Sequence, residues 1–399
     1  MDLIPWTILL LCLFSAQLAH AQENTNYDES NVPNYTLPDP LQTVEGTAVE
    51  SISEWKFQRR PEILHLFSEN VYGNMQHHFD TISFTEISEE SALNGAATAR
   101  QVEIAISRDG QKLNLVLNLL IPNNVSSPAP VTLLINHRGP DNMDISREIK
   151  KEFWPAEYIV DRGYVAAVFD VEDLADDNKE TYTEDLLEQL YPEELDKPDG
   201  MRTISAWAWG AMRAMDYFER APDIDENRSI VIGHSRGGKT ALWTGAQDQR
   251  WAITISNESG AGGAALSRRR FGETVQQINS SFPYWFTPNF EKYNNNESAL
   301  PVDQHMLIAC IAPRAVYVAS AAEDQWADPR GEYLSLYHGA TVFDEIFGIP
   351  IPLDEEMPEV NSPVHTSHVG YHIREGEHDL TRYDWEQFLN FADQYFGLE

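Results

Sequence analysis

The second half of the chain alternates short apolar runs with segments that carry apolar residues at helical spacing. Nearly every position of each short run is apolar, which is typical of strands covered on both faces of a sheet. Strand, helix and strand in repetition predict a mainly parallel sheet with helices packed on both sides. The short runs are residues 131–135, 165–171, 229–232, 251–255 and 315–319.

Three segments show the helical spacing. The first lies between the second and third apolar runs, and its stripe predicts that Trp207 and Trp209 are core residues packed against the sheet. A second helix is predicted over residues 55–72, and a third over residues 383–396 closes the chain. The stripe of the first helix consists of Ile204, Trp207, Ala208, Ala211, Met215 and Phe218.

The first half of the chain has a different pattern. Residues 81–89 and 99–121 alternate in polarity and are rich in β-branched side chains, which predicts strands. Asp109 and Gly110 interrupt the second segment with a pair of residues that favours a hairpin turn. We therefore expect an antiparallel N-terminal portion joined to the parallel sheet.

The first 50 residues are predicted to lie outside the catalytic domain. Residues 1–21 hold an apolar run and end in Ala19-His20-Ala21, which is typical of a signal peptide and of a secreted or periplasmic protein. Residues 22–50 are rich in Asn, Pro, Thr and acidic residues without periodicity, so we expect a flexible lead-in outside the core. Residues 51–399 are expected to form a single domain.

The charge balance excludes some partners. Against 63 Asp and Glu the chain has 28 Lys and Arg, a net charge of −35 that becomes −34 when Asp2 leaves with the leader. Such a field repels phosphate backbones, so nucleic acid is excluded as a partner. After the leader no apolar stretch approaches the roughly 20 residues that a membrane span needs, and we expect a monomer with no membrane contact. Cys310 would remain the single cysteine, which excludes an intramolecular disulfide.

The most informative motif is Gly-His-Ser-Arg-Gly at residues 233–237. It follows an apolar run and precedes a helical pattern, which is the context of a nucleophile elbow. The glycines at 233 and 237 leave room for a strained turn that lifts the Ser235 hydroxyl above the sheet edge. The backbone N–H of Arg236, at the start of the helix, would face a developing oxyanion. The motif predicts an α/β-hydrolase fold with a serine nucleophile.

Such a serine needs an imidazole base with a carboxylate behind it. His378 lies in a charged, Gly-containing loop just before the last predicted helix, where this fold places its base. Glu258 and Asp324 each follow a predicted strand, at the edge of a parallel sheet where reactive groups collect. Position alone does not choose between the two acids.

Together these motifs resemble the glucuronoyl esterases of carbohydrate esterase family 15. The resemblance rests on Gly-His-Ser-Arg-Gly-Gly-Lys at 233–239 and on Asn-Glu-Ser-Gly-Ala-Gly-Gly at 257–263, a combination more specific than an elbow alone. It covers most of residues 50–399 and is closer to the bacterial branch than to the fungal one. Further matching stretches are residues 55–72, 268–273, 280–286 and 324–326 and the His378 loop.

The resemblance implies an enzyme that hydrolyses esters between the 4-O-methyl-glucuronic acid of xylan and lignin alcohols, with no metal or other cofactor. Ser235 would attack the ester, and His378 would carry the proton. Glu258 would orient His378, with Asp324 assisting or substituting.

The resemblance also implies a set of substrate contacts. Arg236 would stabilise the oxyanion through its side chain as well as its backbone N–H. Lys239 would bind sugar hydroxyls, with Glu273 and Trp326 beside it. An esterified uronate is neutral at its carboxyl group, so the acidic protein would repel the released acid but not the ester.

Three alternatives stay open at this point. An acetyl-xylan or cinnamoyl esterase would use the same Ser235, acids and His378 in a different pocket. A metal enzyme would use a separate histidine set, whose spacing suits one face of a helix. A non-catalytic polysaccharide-binding protein would keep the fold without an activated serine. The histidine set of the second alternative is His365, His368 and His372.

Overall fold

The fold is built on one mixed sheet of ten strands. The computed structural model describes residues 25–125 and 128–398, so the predicted leader over residues 1–21 lies outside the described residues. The spatial order of the strands is β1-β2-β3-β5-β4-β6-β7-β8-β10-β9. The strands are β1 Thr81–Ala92, β2 Ala97–Arg108, β3 Gln111–Pro122, β4 Ala129–Asn136, β5 Val165–Asp170, β6 Ile224–His234, β7 Ile253–Asn257, β8 Ala315–Ala321, β9 Val364–His365 and β10 Val369–Arg374.

Parallel pairing runs without interruption through the middle of the sheet, from β5 through β4, β6, β7 and β8 to β10. The flanking pairs are antiparallel: β1 with β2, β2 with β3, β3 with β5, and β9 with β10. Asp109 and Gly110 join β2 to β3 with φ values of 51° and 82°, as a tight hairpin turn requires. The predicted parallel sheet with an antiparallel N-terminal portion is confirmed.

Helices cover both faces of the sheet. Residues 52–72 form one continuous helical segment, which ends at Tyr72 as predicted but begins at Ile52 rather than Trp55. It has π-helical turns at Trp55–Arg59 and Ser68–Tyr72. The α-helices are α1 Ile52–Glu54, α2 Arg60–Phe67, α3 Ala156–Asp161, α4 Leu186–Leu190, α5 Thr203–Phe218, α6 Arg236–Gln247, α7 Val275–Ser281, α8 Gln304–Ala309, α9 Pro329–Glu345 and α10 Arg382–Phe396. The 3₁₀ turns are Glu29–Asn31, Leu93–Gly95, Pro140–Asn142, Val171–Asp173, Pro192–Glu194, Ser267–Arg269, Pro288–Tyr293, Glu297–Ala299 and Gln325–Ala327.

The buried apolar residues form two clusters, one on each face of the sheet. Consecutive residues of β6 alternate between them, because Val231 belongs to the larger cluster while Ile230 and Ile232 belong to the smaller. Trp207 and Trp209 of α5 have no exposed surface and lie in the larger cluster, as predicted. The smaller cluster is closed by the last helix, α10.

The expectation that residues 22–50 stay outside the core is wrong for Val49, and Leu41 also packs against the cluster that holds Val49. Val49 is 4% exposed and belongs to the larger cluster. Much of this segment is held by its backbone carbonyls, since Pro40 O accepts from Arg59 Nε at 3.0 Å and Pro38 O accepts from His305 Nε2 at 2.8 Å. Such contacts leave no hydrophobic periodicity in the segment, which explains why the pattern missed them.

The idea that three histidines share a helix face is also wrong. His365 lies in β9 and His372 in β10, with the turn that contains His368 between the two strands. The sequence pattern missed both strands because β10 buries a histidine and an arginine among its apolar residues. Within the described part of the chain, no helix has the length and apolar character needed to cross a membrane.

Candidate active site

Ser235 occupies a sharp turn between β6, which ends at His234, and α6, which begins at Arg236. Its backbone has φ 54° and ψ −123°, a strained conformation for a residue with a side chain. A β-carbon on Gly233 would lie 1.9 Å from the carbonyl oxygen of Gly237, so position 233 accepts only glycine. The requirement at Gly237 is milder than the sequence suggested, because its nearest contact would be Ile135 O at 3.1 Å.

The turn is fixed by backbone hydrogen bonds. Ser235 N–H donates to Asn257 O at 2.9 Å, and Ser235 O accepts from the N–H groups of Gly238 at 2.9 Å and Lys239 at 3.1 Å. The first N–H groups of a helix have no intrahelical acceptor, and they give this end of α6 a positive partial charge. The Ser235 side chain therefore stands at a place where a developing anion is favoured.

His378 and two carboxylates meet beside this turn. The Nδ1–H of His378 donates to Asp324 Oδ2 at 2.6 Å, and Glu258 Oε2 lies 3.4 Å from the same nitrogen. The His378 ring lies 4.4 Å, between centroids, from the ring of His234, the residue before Ser235. The three side chains follow the C-terminal ends of β7, β8 and β10, so residues distant in sequence converge at one edge of the sheet.

The two carboxylates differ in their other contacts. Glu258 is 1% exposed and has φ 46°; its Oε1 accepts from Arg374 Nη2 at 2.6 Å and its Oε2 from the N–H of Asp379 at 3.0 Å. Asp324, which is 6% exposed, makes the shorter contact with His378. The resemblance implied that Glu258 is the main acid, but Asp324 lies closer than Glu258 to the Nδ1 atom of His378.

The electrostatics of this group are strongly coupled. Burial alone would lower the pKa of His378, but the hydrogen bonds to Asp324 and Glu258 outweigh burial and raise that pKa to about 9. Burial raises the pKa of Glu258 to about 7, against the opposing effects of His378 and Arg374. Because these groups interact, each apparent pKa belongs to the cluster rather than to a single residue.

The three residues that the resemblance assigns to sugar binding also lie together. The ammonium group of Lys239, which is 4% exposed, donates to Ser259 O at 2.5 Å. Burial lowers the pKa of Lys239 to about 8 although Glu273 opposes the shift, and burial raises the pKa of Glu273 to about 7 against the effect of Lys239. Glu273 N–H donates to Trp326 O at 2.9 Å, and the Trp326 side chain opposes the upward shift of the Glu273 pKa.

The side chain of Arg236 is held by an acid that was not predicted, Asp177. Its guanidinium forms an ion pair with Asp177 and lies 4.7 Å above the ring of Trp285. The same carboxylate accepts at 2.8 Å from the hydroxyl of Tyr284 and at 2.8 Å from the indole N–H of Trp285. Asp177 stands in a run of acidic residues that, as sequence, looks like any solvated loop.

Residues after β4 complete the surroundings. Arg138 Nη2 donates to His234 Nε2 at 2.9 Å and pairs through Nη1 with Asp379, the residue after His378. The ring of His137 stacks on that of His234 at 6.0 Å between centroids. Neither residue was predicted, although both follow a predicted strand at the same sheet edge as the assigned acids.

In the described part of the chain, one group of side chains has ligand atoms close enough together to hold a metal ion. It is the cluster of Glu258, Asp324 and His378, whose ligand atoms lie within 4.8 Å of one another. A cation there would compete with the Nδ1 proton that His378 shares with Asp324. His365 and His372 instead share one phenolic hydroxyl, that of Tyr317, at 3.1 and 2.9 Å.

The sheet order and the strand-to-helix turn at Ser235 define an α/β-hydrolase. Sequence comparison narrows the class, since the model of the family "Glucuronyl esterase, fungi" matches residues 104–347. The chain is 41% identical to the carbohydrate esterase MZ0003 of an unknown prokaryotic organism, over 93% of this chain and 92% of that protein. It is 30% identical to 4-O-methyl-glucuronoyl methylesterase 1 of Wolfiporia cocos, over 80% and 75%. The chain belongs to the glucuronoyl esterase family, carbohydrate esterase family 15.

Solved structures agree with this assignment. A glucuronoyl esterase from Solibacter usitatus has a TM-score of 0.85 and 38% identity, covering 93% of this chain and all of that chain. A family 15 esterase from a marine bacterial metagenome, described as promiscuous, has a TM-score of 0.84 and 40% identity over the same shares. The predicted membership of the family, with a likeness to its bacterial members, is confirmed, and so is the predicted class of carboxylic ester hydrolase.

Proposed function

We propose that this chain is a secreted serine esterase that hydrolyses esters of glucuronic acid and its 4-O-methyl ether, such as the ester links between glucuronoxylan and lignin. The observation that carries the proposal is the contact of His378 with Asp324 beside the strained turn of Ser235. A relative that is 30% identical is named a 4-O-methyl-glucuronoyl methylesterase, which supports the choice of acid.

In the first half of the proposed reaction, His378 Nε2 takes the proton of the Ser235 hydroxyl while the serine oxygen attacks the ester carbonyl carbon. The carbonyl oxygen becomes an oxyanion facing the N-terminal end of α6 and the cationic Arg236. Collapse of this intermediate breaks the bond to the alcohol oxygen, which leaves with the proton from His378. An ester between Ser235 and the uronic acid remains.

The second half repeats these steps with water. His378 takes a proton from water as the oxygen attacks the acyl carbon, and it returns that proton to Ser235 when the uronic acid is released. The carboxylates of Asp324 and Glu258 hold the ring in the tautomer with the proton on Nδ1 and stabilise the imidazolium that forms in each half.

The sugar would be recognised by Lys239, Glu273 and Trp326. The buried ammonium of Lys239 and the half-buried carboxylate of Glu273 offer a donor and an acceptor to sugar hydroxyls, and an indole gives a flat apolar surface for a sugar ring. The net charge of −35 favours release of the anionic product over its retention. No metal or other cofactor is required by these steps.

A panel of esters tests the proposal. The wild type is assayed on four substrates, and the values of kcat/KM are compared. The substrates are benzyl glucuronate, its 4-O-methyl form, benzyl galacturonate and acetylated xylan. We expect the two glucuronates to be the best substrates, and activity on acetate alone would refute the choice of acid. The panel needs simple esters as well, because a 40% identical structure is described as a promiscuous esterase. EDTA-treated protein should retain its activity.

Export and assembly are tested separately. If residues 1–21 are a signal peptide, then the protein recovered outside the cytoplasm begins at Gln22, which mass spectrometry of the intact chain measures. A monomer would elute from a sizing column at the mass of one mature chain, and a larger mass would contradict that part of the proposal.

A further inference from the structure

Arg374 is the last residue of β10 and comes just before the loop that carries His378. Its side chain is 5% exposed, which is an unusual place for a guanidinium unless its donors are fully used. Arg374 takes no part in the proposed proton transfers, although it lies close to His378 in the chain.

The guanidinium of Arg374 contacts both sides of the acid and base cluster. Nη2 donates to Glu258 Oε1 at 2.6 Å, while Nε donates to both carboxylate oxygens of Asp384, at 3.1 and 3.0 Å. Asp384 in turn caps the start of α10 by accepting from the N–H of Thr381 at 2.7 Å. One side chain thus ties Glu258 to the helix that follows the His378 loop.

The same guanidinium holds the loop itself. Nη1 donates to Glu375 O at 3.0 Å, and Nη2 donates to Glu377 O at 3.1 Å and to Asp379 O at 2.7 Å. The last two carbonyls flank His378 on both sides. The backbone that aims the imidazole and the carboxylate that lies 3.4 Å from its Nδ1 are therefore fixed by one planar group.

We infer that Arg374 is a positioning residue of the esterase: it sets the distance between Glu258 and His378 and keeps the His378 loop in register with Ser235. This inference rests on the proposed function. Because the guanidinium already neutralises Glu258, Asp324 is left as the first acceptor of the Nδ1 proton. Arg374 also favours the ionised form of Glu258 against the effect of burial, so Glu258 is available as a second acceptor when Asp324 is lost.

Lysine cannot replace this arginine, because an ammonium group has three donors at one point whereas the acceptors here surround a planar fork. For Arg374→Lys we expect kcat on benzyl glucuronate to fall by about 10²-fold with little change in KM, since a small misplacement of the base affects the chemical step. Arg374→Met, which also loses the charge, should fall further, so that lysine gives a partial rescue.

The matched control is Arg213→Lys. Arg213 is also 5% exposed and pairs with a carboxylate, that of Asp216 at 2.6 Å, but it lies near the end of α5 that precedes the start of β6, at the sheet edge away from Ser235. Both substitutions disturb a buried ion pair and lower Tm, but only Arg374→Lys should lower kcat.

A double-mutant cycle separates positioning from general stability. In an Asp324→Asn background Glu258 is the remaining carboxylate at Nδ1, so Arg374→Lys should cost about tenfold more there than in the wild type. Equal losses in both backgrounds, or a kcat for Arg374→Lys that matches Arg213→Lys, would overturn the inference.

Ser235→Ala is assayed beside these variants. If Ser235→Ala stays active, the proposed function has failed. An inactive Ser235→Ala together with a fully active Arg374→Lys refutes only the role of Arg374.

Discussion

The proposed active site lies at the C-terminal edge of the parallel strands, and its two sides are built in different ways. The elbow side, residues 233–239, is one continuous stretch from β6 into α6, where backbone hydrogen bonds hold Ser235 in a strained conformation. The acid side, Glu258, Asp324, Arg374 and His378, is assembled from the ends of three strands by hydrogen bonds between side chains. In the proposed mechanism the elbow side supplies one nucleophile, Ser235, without a substitute, whereas the acid side has two carboxylates around one imidazole.

From this difference we expect substitutions on the elbow side to abolish activity and substitutions on the acid side to lower it only in part. A group that supplies the reacting oxygen cannot be replaced, so its loss removes the reaction. A carboxylate that stands beside another carboxylate shares its work, so its loss leaves part of the rate.

Ser235→Ala should lower kcat/KM on benzyl glucuronate by about 10⁴-fold or more, because the attacking oxygen is removed. The fold should be unchanged, since only one oxygen is lost at the sheet edge. Ser229→Ala, at a fully buried serine of β6, is the control and should change kcat/KM by no more than about twofold. Substantial activity of Ser235→Ala would break the elbow side of the comparison.

Gly233→Ala should destabilise the protein by about 3 kcal/mol, because the new β-carbon would meet a backbone carbonyl oxygen at 1.9 Å. Gly237→Ala should cost about 1 kcal/mol, since its β-carbon would meet Ile135 O at 3.1 Å. Urea unfolding of both variants measures the two free energies. A larger loss of stability for Gly237→Ala than for Gly233→Ala would contradict the close approach of Gly233 to the carbonyl oxygen of Gly237.

On the acid side, Asp324→Asn should lower kcat by about 10²-fold and Glu258→Gln by about tenfold. The difference follows from the distances to His378 Nδ1, 2.6 Å for Asp324 and 3.4 Å for Glu258. Steady-state kinetics of both variants at one pH decide the order. A larger loss for Glu258→Gln would restore Glu258 as the first acid, as the family resemblance implied.

The pH dependence gives the smallest effect. His378 must be neutral to accept the serine proton, so kcat/KM should rise with pH along a limb whose apparent pKa lies above the ordinary 6.5 of histidine and no higher than about 9. Asp324→Asn removes a hydrogen bond that raises the pKa of His378, so the limb should move to lower pH. A limb that stays in place in Asp324→Asn would mean that Asp324 does not act on His378.

The same contrast explains what the sequence could predict. The elbow side was predicted together with its strand and helix, because a continuous motif carries its own context. The acid side was predicted only as candidates, since no pattern in the chain states which of two strand-end carboxylates lies nearer to His378. Their distances are set by the sheet order, which brings β7, β8 and β10 together.

Buried residues that support the site through contacts with other side chains could not be predicted from the sequence pattern. Arg374 and His372 break the apolar pattern of β10 because each is buried with a carboxylate partner, and this hid the strand. Asp177 was hidden among other acids, although its carboxylate gathers Arg236, Tyr284 and Trp285. By contrast, His137 and Arg138 follow an apolar run, and the rule that reactive groups collect at strand ends would have found them.

The central claim is that His378, backed by its carboxylates, activates Ser235. Labelling with a fluorophosphonate tests it directly, because the reagent reacts only with a serine whose proton can be taken by a base. Peptide mass spectrometry should place a single adduct on Ser235 in the wild type, and His378→Ala should form that adduct at least about 10³-fold more slowly. An unlabelled wild type, an adduct on another serine, or labelling of His378→Ala at the wild-type rate would contradict the account.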